Sequence, residues 1–257
     1  MDDHPAGSRG DCLHRRRDRL YERHIRHRYP GILLFCQPVP TQGSVGKAMQ
    51  VSVQTLPGLV PVIQEAAARL QVEPVNIFIV PARTLNAYTF GLSSPKAIVL
   101  YESLFKVMDR DELQFIIGHE MGHVVLGHTW LNSLVGGMAG IPAPYSASYL
   151  LILALRWWNR SCEFSADRAG LLACSRPAKA FSALVKLEVG PGGTTPEAYS
   201  RTLQRIEAEE DDFLSNLGEL LATHPMIVKR LDQLRNFAAS EDYRRLQSVA
   251  EQNLKTR

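Results

Sequence analysis

His119 and His123 stand four residues apart in the run Gly118-His-Glu-Met-Gly-His123, and that spacing constrains this chain more than any other feature. On a helix, residues at i and i+4 share a face, so both imidazoles point the same way and can grip one cation. Glu120 then lies beside the cation without binding it. The helix itself is well signalled: Asp109 is a good N-cap, Glu112 three residues later completes a capping box, and Leu113, Phe115, Ile116 and Ile117 follow. Neutral imidazole is a good zinc ligand, and catalytic zinc sites keep a position open for water. The plainer alternative is a chance HExxH on a helix whose histidines are ordinary, partly buried side chains.

A third ligand separates the two readings. The pattern in which it is a histidine ten residues after the first is excluded, because Thr129 occupies that position and Leu126 replaces the glycine the pattern requires. His128 lies nine residues from His119, on the far side of an unbroken helix. It reads as a packing or capping histidine, able to join the site only if the helix breaks first. Farther on, Glu163 and Asp167 are again at i and i+4, on one face of a second helix among small and apolar neighbours. Glu163 is the candidate third ligand, and Asp167, one turn on, can accept the free N–H of a metal-bound histidine and set its tautomer. The alternative for this pair is an exposed acid pair on an amphipathic helix.

The rest of the chain supplies a scaffold. With 257 residues, 45% of them hydrophobic and 21% charged, it is long enough to bury a real core in one unit. Leu59, Val62, Ile63, Ala66, Ala67 and Leu70 have helical spacing. The β-branched run Val75 to Val80 predicts a strand, with further strands over Ala87 to Phe90 and Ala97 to Tyr101 and a turn at Gly91 to Pro95 between them. Beyond the HExxH helix, helices are expected from about Trp157 to Ala173, Ala178 to Glu188, Pro196 to Leu221, and Pro225 through the C-terminal region. The expected class is α+β and mostly helical, with a small sheet preceding the HExxH helix.

Charge marks out one segment. The formal net charge is +3, yet residues 1–30 carry eight arginines against five acids while the remainder is balanced. Residues 1–45 read as a basic, partly disordered N-terminal arm, and 46–257 as the folded domain. The arm could attract nucleic acid or anionic lipid, but acids run through it and no aromatic stacking pattern accompanies it, so no nucleic-acid partner is expected. Ile32 to Phe35 is too short an apolar run for a signal-peptide core. Cys12, Cys36, Cys162 and Cys174 form no CxxC pair, which fits a reducing, cytoplasmic setting. Thr129 to Leu155 carries no charged residue, but Gly136, Gly137, Gly140, Pro142 and Pro144 interrupt it. A buried helix and loop, a surface hairpin touching lipid in a peripheral membrane contact, or a membrane span are the readings open there.

Four segments, taken in order, resemble the HtpX and CAAX-prenyl-protease family of gluzincin metalloendopeptidases, in particular its minimal members. They are Asn86-Ala-Tyr-Thr-Phe90, His119 to His128, Glu163-Phe-Ser-Ala-Asp-Arg168 and Thr223-His-Pro-Met-Ile-Val-Lys-Arg-Leu231. The similarity spans about residues 55–235. It implies a zincin-type fold and a Zn2+ cofactor held by His119, His123 and Glu163. It further implies Glu120 as general base and hydrolysis of protein or peptide substrates that add as a strand along Asn86, Ala87 and Tyr88. It also implies a role for His224 in stabilising the oxyanion or the substrate, although a His-Pro pair at a helix start is equally explained as N-terminal punctuation. The rival reading is a catalytically silent, zinc-stabilised binding module docking on a membrane or protein partner. Glu120 argues against it, since a purely structural site needs no base there.

Overall fold

Helix formation around the HExxH segment follows from its ends. In the computed structural model, which describes residues 48–90, 95–129, 146–190, 201, 204 and 227–256, the Asp109 side chain accepts from the backbone N–H groups of Asp111 and Glu112. The Glu112 carboxylate accepts in return from the Asp109 N–H at 2.8 Å. This reciprocal cap satisfies donors that a helix start leaves open. The helix, Arg110–Val125, is the third of seven described. In chain order the elements are β1 (Met49–Gln50), α1 (Val60–Leu70), β2 (Asn76–Val80), β3 (Ala87–Phe90), β4 (Ala97–Tyr101), α2 (Leu104–Val107), α3 (Arg110–Val125), α4 (Ser146–Cys174), α5 (Pro177–Val189), α6 (Ile227–Ala239) and α7 (Glu241–Lys255). The chain is thus mostly helical, with a small mixed sheet ahead of α3.

The sheet runs β1-β2-β4-β3. The β2–β4 pair is parallel, from Asn76 opposite Ala97 to Val80 opposite Tyr101, and β1 and β3 add antiparallel at the two sides. Among the described residues β3 therefore pairs on one side only, with β4. Ile98 and Leu100 of β4 are fully buried and join Ile77 and Ile79 of β2 in the core.

α3 is the central element. It is buried without interruption from Glu112 to His123, the condition of a helix enclosed on all sides. Phe115, Ile117 and Met121 pack with Leu171 and Ala173 of α4, Leu184 and Val185 of α5, and Leu234 of α6. Its buried polar groups are satisfied: Glu112 accepts from Ser182 Oγ at 2.6 Å and from Lys186 Nζ at 2.7 Å, and Gln114 Nε2 donates to the Ala173 carbonyl at 3.0 Å.

α3 and α4 approach closely enough to need glycine at the contact. A β-carbon at Gly118 would lie 2.3 Å from Ala173 Cβ, and one at Gly122 would lie 2.7 Å from Ala169 Cβ. Both distances are far inside van der Waals contact, so any side chain would force the helices apart. Gly118 precedes the HExxH residues and Gly122 lies within them, and the close approach carries the α4 acids up to the histidines.

Several expectations meet the structure directly. The α1, β2, β3, β4 and α5 segments form within a residue or two of their expected limits. α4 starts at Ser146 rather than near Trp157, because the apolar run Tyr149 to Leu155 continues into the helix that bears Glu163. The C-terminal region forms two helices, with Ser240 accepting from the Tyr243 N–H to cap the second. β1 and α2 were not expected; each is too short to show a period. The arm, the turn residues 91–94, the expected helix over Pro196 to Leu221 apart from 201 and 204, and residues 130–145 of the uncharged stretch lie outside the described residues. Among the described residues no helix is long and apolar enough to cross a membrane.

Candidate metal centre

The i, i+4 spacing does what helical geometry requires. The two Nε2 atoms of His119 and His123 face each other at 3.2 Å. Glu163, delivered by α4, places Oε2 3.6 Å from His119 Nε2 and Oε1 3.7 Å from His123 Nε2. One ligand atom from each of the three residues lies within 4.8 Å of the others, and all three residues are buried. Two imidazole nitrogens and a carboxylate oxygen converging in this way could hold one metal ion, and the donor set suits zinc.

The outer nitrogens of the histidines are held as well. Asp167 Oδ1 lies 2.9 Å from His119 Nδ1, the contact expected for this acid. A carboxylate only accepts, so Nδ1 carries the proton and the Nε2 lone pair points at the pocket. Burial works against a charged His119, but the bond to Asp167 and the charges of Asp167 and Glu163 outweigh it and raise its pKa. His123 is pushed down to about 2, first by burial and then by the charge of His119.

Arg230, from α6, reaches the same cluster. Its Nε donates to Asp167 Oδ2 at 2.8 Å and a terminal nitrogen donates to Oδ1 at 2.6 Å, a two-bond clamp. A further guanidinium nitrogen lies 3.6 Å from Glu163 Oε2. Burial alone would raise the pKa of Asp167, but the Arg230 charge and its hydrogen bonds bring it down to about 2.

Glu120 is 6% exposed, and burial is the first cause of its raised pKa. Its carboxylate Oε2 accepts from Thr89 Oγ1 at 2.5 Å, which ties the edge strand β3 to the HExxH helix. Asn86 and Ala87 begin that edge: the Asn86 carbonyl accepts from the Tyr101 N–H at 3.1 Å, and Ala87 pairs with Leu100. Tyr88 packs edge-on against Tyr101 with ring centroids 6.2 Å apart.

The condition for His128 to approach the site, a break in the helix, is met. α3 ends at Val125, and Gly127 adopts a left-handed conformation at φ +74 that non-glycine residues rarely take. His128 Nδ1 comes to 3.0 Å from His123 Nδ1, and its ring packs edge-on against Trp158 at 6.1 Å. His224 lies outside the described residues. Thr89 and Arg230 both fall inside segments that carry the family resemblance, but neither was singled out, since no short-range pattern reveals which distant carboxylate a side chain will meet.

A helix-borne His-Glu-x-x-His whose histidines converge with a glutamate from a second helix has the arrangement of the metal sites of zinc metalloproteases. The family description Peptidase family M48 matches residues 57–238, and the chain belongs to that family. It is 30% identical over 217 residues to the plastoglobule-localized metallopeptidase 48 of Arabidopsis thaliana, covering 79% of this chain and 63% of the relative. To the protease HtpX homolog of Pyrococcus furiosus it is 26% identical, over 73% of this chain and 76% of that protein. The crystal structure of S. mikatae Ste24p superposes with a TM-score of 0.48 at 17% identity, covering 84% of this chain and 56% of that one. The chain thus spans less than two thirds of the Arabidopsis and S. mikatae proteins.

Proposed function

We propose that this chain is a zinc metalloendopeptidase that hydrolyses peptide bonds in proteins or peptides, with His119, His123 and Glu163 as the metal ligands and Glu120 as the general base. The observation that carries the reading is the convergence of the three ligand atoms within 4.8 Å with a buried carboxylate next in sequence to one of them. Zinc bound there supplies a Lewis acid that polarises the scissile carbonyl and makes water acidic enough to be deprotonated near neutral pH.

Glu120 takes a proton from the attacking water as the C–O bond forms, and passes it to the amide nitrogen as the C–N bond breaks. A base must be held within reach of the proton it takes, and the Thr89 hydroxyl fixes the Glu120 carboxylate through a 2.5 Å hydrogen bond. Asp167 holds the His119 tautomer. The substrate pairs as an extended strand with β3 at Asn86, Ala87 and Tyr88, where main-chain hydrogen bonds give affinity with little demand on sequence. His224 is assigned to the oxyanion or the substrate on the family resemblance alone. Residues 1–45 form an arm outside the enzymatic domain, 46–257.

Metal content and chelator-sensitive casein cleavage test the reading together. The wild type should bind one zinc per chain and cleave. Glu120→Gln should keep the zinc and lose turnover by about two orders of magnitude or more, as for removal of a general base, and Glu163→Ala should lose stoichiometric zinc. Zinc binding without cleavage by the wild type would favour the silent binding module, and full zinc occupancy in Glu163→Ala would remove Glu163 from the ligand set.

A further inference from the structure

We infer that His128 is a positioning residue for His123, its Nδ1 lone pair accepting the His123 Nδ1–H and so aiming the His123 Nε2 lone pair into the metal pocket. The inference rests on the proposed ligand set and extends it to a residue outside the HExxH motif.

The argument is one of donor and acceptor accounting. His123 Nε2 faces the pocket, 3.2 Å from His119 Nε2 and 3.7 Å from Glu163 Oε1. For that nitrogen to offer a lone pair, the ring proton must sit on Nδ1, where it needs an acceptor. The atom at 3.0 Å from Nδ1 is His128 Nδ1. His128 must then be neutral with its own proton on Nε2. Ser165 Oγ lies 3.4 Å from that nitrogen and is free to accept, because its hydroxyl proton is directed to the Ser161 and Cys162 carbonyls, each at 3.0 Å. Every donor in the series His123, His128, Ser165 thereby finds an acceptor, and the series ends on the backbone of α4.

The fold is built to deliver this contact. An unbroken α3 would carry His128 to the opposite face, but the turn at Leu126 and Gly127 swings it back. His128 is 8% exposed and braced by Trp158. The two proposed histidine ligands are thus held by unlike partners, His119 by an ionised carboxylate and His123 by a neutral imidazole.

Loss of such an orienting partner typically weakens metal binding by about 10 to 100-fold, and a neutral acceptor belongs at the lower end. The experiment is zinc titration against a chromophoric chelator for the wild type, His128→Ala, His128→Asn and His128→Leu, with thermal melting of each metal-free protein to show that it folds. Asn places a carbonyl oxygen where Nδ1 was, whereas Leu fills the space against Trp158 but accepts nothing. The expected result is zinc affinity about tenfold weaker in the Ala and Leu variants and within about threefold of wild type in His128→Asn. Unchanged affinity in His128→Ala, or rescue by Leu and not by Asn, overturns the positioning role and leaves the ligand set standing. A wild type that binds no zinc overturns both.

Discussion

Thr89 and Glu120 are joined side chain to side chain: Thr89 Oγ1 lies 2.5 Å from Glu120 Oε2 and 3.2 Å from the Glu120 carbonyl oxygen. The hydroxyl has a single proton, which goes to the nearer carboxylate. The strand proposed to receive the substrate therefore also holds the proposed base, so that docking and proton transfer share one rigid connection. A base must sit within hydrogen-bond reach of the proton it removes, and a loosened carboxylate loses part of that advantage. Thr89→Val should lower kcat by about tenfold with KM nearly unchanged, and Thr89→Ser should restore it. Steady-state hydrolysis of a fluorogenic peptide reads the split, and a rise in KM alone would reassign Thr89 to substrate binding.

Arg230 sets the stability of the same cluster. Asp167 is 1% exposed, and its charge is tolerable because the guanidinium makes two hydrogen bonds to it. Removing one member of a buried ion pair strands the other charge, at a cost of about 3 to 5 kcal/mol. Arg230→Met should lower the urea midpoint of the metal-free chain by a corresponding amount. Arg230→Lys should recover only part of it, since an ammonium cannot reproduce the two-bond clamp. A midpoint for Arg230→Met equal to wild type would show that the pair contributes nothing net.

The cap of α3 has a pH signature. Burial acts to raise the Asp109 pKa, but the bond and charge of Lys179 and the N–H groups of Glu112 and Asp111 lower it overall. A carboxylate whose folded pKa lies below its unfolded value of ~3.9 contributes stability that is fully present above that value and lost as pH falls through the folded one. Asp109→Asn keeps a capping side chain but has no charge for Lys179. Thermal melting should find it less stable than wild type at neutral pH and less sensitive to acidification below about pH 4. Parallel acid limbs for the two proteins would exclude Asp109 as a source of the pH dependence.

The sequence by itself determined what depends on local backbone geometry. The reciprocal cap of Asp109 and Glu112, the shared face of His119 and His123, and the strands β2 to β4 follow from periods and end signals that a short segment carries within itself. The acid pair Glu163 and Asp167 was legible for the same reason. Its meeting with His119 and His123 could be expected but not read from the segment itself, because their approach depends on the glycine contacts that bring α3 against α4.

Only the tertiary structure decided the remainder. Thr89 meets Glu120 across 31 residues of sequence, and Arg230 meets Asp167 across 63. Contacts at such separations are set by how whole elements pack, not by a propensity any segment carries. His128 lies at the boundary between the two cases. Its place opposite the site followed from the helical repeat alone, and one left-handed residue, Gly127, reversed it, since the repeat holds only while the backbone stays helical.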